Sequence, residues 1–103
     1  MIVRSDAPVG VQAAMLVHAA GESAQLPGAG DASPPTRAVA LAASVDQLVA
    51  LRQALIAADL RHVVVHEPDE PWGGALMAIG MVPMPRSRAR RHVAHLALVR
   101  GEE

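Results

Sequence analysis

Between residues 37 and 66 the chain spells out a strand, a capped helix and a second strand in immediate succession. Arg37-Ala38-Val39-Ala40-Leu41-Ala42 is short and apolar, as a buried strand is. Ser44 with Gln47 three residues on is a capping box, each side chain satisfying a free backbone amide. Leu48, Leu51, Leu55 and Ala58 then recur on one helical face, which predicts a helix over 44–59. His62-Val63-Val64-Val65-His66 is a β-branched run that reads as a strand buried on both faces. Strand, helix, strand in that order implies parallel pairing with a right-handed crossover.

The flanking segments extend the pattern. Met1-Ile2-Val3-Arg4 reads as a short first strand, suited to a sheet edge, and Pro8 and Gly10 mark the turn after it. Apolar residues at Ala13, Leu16, Val17, Ala20 and Ala24 predict a helix over about 9–25, weakened near Gly21. Residues 26–35 form a loop by composition, with three prolines and two glycines. Ala75 to Met81 is a fourth strand, close enough to the third to form an antiparallel hairpin. Pro83 and Pro85 stop it, and a last helix runs from Pro85 to about Leu96. The expectation is a single α/β domain over residues 1–103, a mixed four-stranded sheet flanked by helices.

The interior must be built without large rings. Among 103 residues there is no Phe or Tyr, and Trp72 is the one aromatic side chain. Small aliphatic residues bury less area each, so the core has to be tightly packed. There is no cysteine, which excludes disulfides, thiol nucleophiles and cysteine-based zinc sites. No segment approaches the ~20 apolar residues of a membrane span. Arg4, Asp6 and Pro8 interrupt any signal-peptide pattern, so a cytoplasmic location without membrane association is expected.

The net charge of −1 selects no default partner, but charge is unevenly placed. Residues 86–100 hold five arginines and no acid, whereas Asp46, Asp59, Glu67, Asp69 and Glu70 fall within 44–70. Arg86, Arg88, Arg90 and Arg91 are suited to holding phosphates. The plainer reading is a solvated face that pairs with acids of the 67–70 turn. His62 and His66 stand four apart on a strand, about 13 Å, too far to chelate one ion together. His92 and His95 share a predicted helix face but have no local carboxylate, so no metal and no cofactor are expected.

Three stretches carry a resemblance. Val3-Arg4-Ser5-Asp6 followed by Gly10, Ala13-Ala14 and His18-Ala19-Ala20 resembles the opening of the type 2 peptidyl-tRNA hydrolases, whose first helix starts with a GKxAAQxxHA motif. Val63-Val64-Val65, an acidic turn and Leu76-Met77-Ala78-Ile79-Gly80 resemble that family's third and fourth strands. Arg86 to Val99 resembles its last helix and apolar tail. The resemblance implies a mixed four-stranded sheet with helices on both faces. It also implies metal-free hydrolysis of the ester joining peptide to tRNA.

The departures fall at the family's polar positions. Val11 stands where the family has lysine, and Met15 where it has glutamine. The family's Asp-Ala-Gly-x-Thr-Gln motif is replaced by His66-Glu67-Pro68-Asp69-Glu70, and Thr36 is the chain's one threonine. Ester hydrolysis needs an activated water and donors for the oxyanion. His18 and His66, with Glu67 or Asp69, are the residues left to activate water. The plainer reading of His18 is a helix histidine satisfied by a neighbouring carbonyl. Val11, Met15 and Trp72 make an apolar patch, either a docking surface for a partner or the filled remains of a cleft. Two readings follow: a divergent peptidyl-tRNA hydrolase whose arginine helix holds tRNA or other RNA backbone, or a non-catalytic binding or assembly module of the same fold, expected as a homodimer.

Overall fold

The computed structural model describes residues 1–26 and 39–99. The expected loop over 26–35 and the start of the second strand therefore lie, Leu26 apart, outside the described residues. The capping box forms as its spacing requires. The Gln47 amide donates to Ser44 Oγ at 3.2 Å, and the Ser44 amide to Gln47 Oε1 at 2.9 Å. They open α2 (Val45–Ala57), preceded by strand β2 (Leu41–Ala43). Leu48, Leu51 and Leu55 are buried, each contributing roughly 1.5–3 kcal/mol by leaving water. Ala58 instead caps the helix at the surface.

The remaining elements are β1 (Ile2–Arg4), α1 (Val9–Ser23), β3 (His62–Glu67), β4 (Ala75–Met81), α3 (Arg86–Val93) and β5 (Ala97–Leu98). They form one five-stranded mixed sheet in the order β3-β4-β1-β2-β5. β1 and β2 pair in parallel, whereas β4 runs antiparallel to both β1 and β3. The crossover through α1 moves one way along the sheet and that through α2 the other. Crossovers of one hand that travel in opposite directions put their helices on opposite faces. The core divides accordingly. Val3, Met15, Ala19, Val65, Met77 and Ala78 pack on the α1 face. Ile2, Leu48, Leu51, Leu55, Ile79 and Leu96 pack on the other, with Val93 of α3 against them.

Four expectations are corrected. β1 is the central strand, because Ile2 serves one core and Val3 the other while neighbours pair on both sides. β3 is an edge strand: β4 separates it from β1, so only Val65 of its valines is fully buried. The last helix ends at Val93, not Leu96, since Leu96 turns into the core and Ala97–Leu98 pairs with β2 as a fifth strand. Finally, α1 buries Gln12, Met15, Ala19 and Ser23, whereas Val17 is 70% exposed.

That rotated face has a steric cause. A methyl group placed on Gly80 would stand 2.5 Å from the Ala19 carbonyl oxygen and 3.0 Å from Val63. α1 lies against β4 at a distance set by alanine and glycine: Ala19 takes the point of closest approach and Val17 faces solvent. A bulge on β4 adds to this contact. Val65 pairs with Ala78 and His66 with Leu76, leaving Met77 as an extra residue. Met77 and Ala78 therefore both pack towards α1. Replacing Gly80 with Ala should cost about 1–3 kcal/mol by denaturant unfolding, the usual cost of overpacking. Unchanged stability would contradict the close approach.

Candidate functional site

The turn from β1 into α1 and the turn from β3 into β4 meet at one end of the sheet. Each is locally determined. Arg4 donates to Asp6 through Nε at 2.9 Å and Nη2 at 2.6 Å. Its guanidinium carbon lies 5.2 Å from the centre of the Trp72 ring, within cation–π range. Gln12, buried in α1, donates to the Ala7 carbonyl at 2.7 Å and ties the helix to the turn before it. On the other side, the Gly74 amide donates to Glu67 O at 2.7 Å and the Trp72 amide to Asp69 O at 2.9 Å. Gly73 and Gly74 have φ of 53° and 88°, conformations that favour residues without a Cβ.

Between these turns lies an open depression of about 320 Å³. The start of α1 contributes Gly10, Val11, Ala14 and Met15, and the turn after β3 contributes Glu67, Asp69, Glu70 and Trp72. Met15 is 5% exposed and packs into the core, so it floors the depression. The site sits outside the carboxyl ends of β1 and β3, where open α/β sheets place their ligands. Its apolar surface is flanked by three carboxylates, and no basic side chain lines it.

The structure thus gathers Val11, Met15, Trp72, Glu67 and Asp69, and adds Glu70. The other sequence-derived candidates lie elsewhere. His18 is exposed one turn farther along α1 and does not line the depression. His66 alternates with Val65 and shares the sheet face of Val64, which packs on the α2 side. Its Nδ1 is 3.0 Å from the Gly74 carbonyl, and His62 Nδ1 is 2.8 Å from Leu60 O. His95 falls in the turn after α3, so it does not share a helix with His92 as expected. Among the described residues, no three His, Asp or Glu side chains converge as a metal site.

Arg86, Arg88, Arg90 and Arg91 are exposed on α3, which packs beside α2 across the sheet from α1. The expected pairing with acids of the 67–70 turn does not form. Among the described residues whose ion pairs are shown, the pair is Arg4–Asp6. Sequence reasoning missed the Arg4–Trp72–Asp6 contact and the buried Gln12. The Gln12-Met15-Ala19-Ser23 spacing is a helical stripe that two polar members conceal. No family model matches the chain, and no curated protein matches it.

The hydrogen bonds from Arg4 hold the Asp6 carboxyl below the ordinary aspartate range. A lowered carboxyl pKa stabilises the fold above the ordinary aspartate value, and that contribution is lost as pH falls through the folded value. Asp6→Asn should therefore be less stable than the wild type at pH 7, by the ~1 kcal/mol or less of an exposed pair. The difference should vanish in thermal melts at pH well below the carboxylate range. A difference that persists there would remove the ion pair as its cause.

Proposed function

We propose that this chain is a divergent protein of peptidyl-tRNA hydrolase-like layout, with weak or no ester hydrolysis, that acts as a binding module. Its ligand is a basic, partly apolar segment of a protein partner seated in the depression. One observation carries the reading: the depression offers Val11, Met15 and Trp72 beside Glu67, Asp69 and Glu70, with no basic side chain in its lining. Three carboxylates repel a phosphate-rich acceptor end and attract a cation, the more so beside an apolar wall. A cationic side chain with an apolar stem suits both surfaces.

The chemistry points the same way. At Val11 and Met15 the lining has neither a charge to steady an oxyanion nor an amide to orient water. His18 is not among the residues that line the depression. A second reading, contact of α3 with RNA backbone, is favoured by its four exposed arginines and the absence of acids on that helix. It predicts a salt-sensitive gel shift of tRNA that Arg88→Ala/Arg91→Ala abolishes.

The test of the first reading is release of peptide from a peptidyl-tRNA analogue by the wild type and by His18→Ala. The expected result is no release above buffer, or a weak release that His18→Ala leaves unchanged. Turnover by the wild type that His18→Ala abolishes would overturn the binding-module reading.

A further inference from the structure

We infer that two copies of the chain join through the outer edges of β3, in an antiparallel pair centred on Val64, to form one continuous sheet. Among the described residues β3 ends the sheet and nothing pairs with its far side. The direction of its backbone groups follows from the ladder. The Arg61 carbonyl accepts from the Val82 amide at 3.1 Å, and the Glu67 carbonyl from Gly74. Val63 and Val65 lie opposite Gly80 and Ala78 in the same alternation. Alternate residues of an antiparallel pair turn their backbone groups to one side. His62, Val64 and His66 therefore present theirs outward.

Edge strands usually carry protection: a proline, a lysine, a bulge or an inward charge. β3 reads His-Val-Val-Val-His-Glu and has none of the first three, and the bulge falls on β4. Val63 and Val64 remain half-buried, so the edge also keeps apolar surface that a second strand would cover.

Charge identifies the occupant as a second copy and selects its register. Outward residues must face outward residues, which allows twofold axes at only a few positions. An axis at Val64 sets His62 opposite the partner's His66 and Val63 opposite the partner's Val65. It also sets Arg61 opposite the partner's Glu67, and Glu67 opposite the partner's Arg61, so two opposite-charge pairs close the ends of the seam. Opposite charges directly across antiparallel strands are favourable, and like charges are not. The isologous contact closes on itself, because each β3 edge is taken up by the other. Glu67 also lines the depression, so the partner's Arg61 arrives at the margin of that site.

Sedimentation equilibrium of the full chain tests the pairing. The wild type should run at twice the monomer mass, with slow hydrogen exchange at the Val64 amide that speeds up on dilution. Val64→Pro removes an outward donor, which a free edge tolerates, so it should give a folded monomer by circular dichroism. Arg61→Glu should weaken the dimer at least tenfold by placing two acids opposite each other. The double variant Arg61→Glu/Glu67→Arg should restore it. Residues 61 and 67 are about 20 Å apart along one strand, so that rescue cannot arise within a single copy. A monomeric wild type, or a dimer indifferent to both single variants, would overturn the proposal. Failure of the double variant to recover would overturn the register.

Discussion

The contact between Ala19 and Gly80 sets the spacing between α1 and the sheet, and the other features of that face follow from it. With no Phe or Tyr, the fully buried residues on the α1 side of the core are Val, Ala and Met, with Leu16 and Trp72 packed at its margin. A helix held at ordinary distance would leave voids that such side chains cannot fill, and voids lose dispersion contacts. Bringing the Ala19 carbonyl to within 2.5 Å of where a Gly80 methyl would stand removes that space. The bulge at Met77 turns one more side chain into the same layer. The other face is closed differently, by three leucines of a well-capped α2.

This spacing also shapes the candidate site. α1 leans on β3, β4 and β1, and its first turns run beside the 67–72 turn. Met15 seals the floor as part of the core, so the depression stays shallow and open. Trp72 is held at its rim, with the paired Arg4 against its ring. Arg4 thus lies against Trp72, while its Nε and Nη2 donate to Asp6, which offsets its charge. What remains towards solvent is apolar surface bordered by acid. Peptidyl transfer to water asks for the opposite polarity at such a place, which is why the binding reading is preferred to the hydrolytic one.

Much of the architecture is legible in local chemistry. Ser44 and Gln47 announce α2, the leucine spacing gives its buried face, and the Val63–Val65 run marks a strand. Val11, Met15 and Trp72 are grouped from sequence and meet in space. What local patterns do not carry is the ordering of strands across the sheet. A three-residue strand such as β1 has too few side chains to reveal that both its faces are covered. The β-branched run of β3 looks the same at an edge as in a centre. In α1 the apolar stripe through Leu16 and Val17 suggested the wrong face, because the buried stripe includes the polar Gln12 and Ser23 and small Ala19 at the closest approach. His66 looked adjacent to Glu67 in function as in sequence, but strand alternation sends the two to opposite faces.

Trp72 is the chain's single aromatic residue and stands at the rim of the depression, so its fluorescence reports on that site alone. The most direct measurement is a titration of the protein, followed by that emission, with a short peptide of alternating basic and apolar residues and separately with tRNA at low salt. The account predicts a saturable change with the peptide that Glu67→Gln/Asp69→Asn weakens, and an emission unmoved by tRNA. Emission that responds to tRNA and ignores the peptide would contradict it.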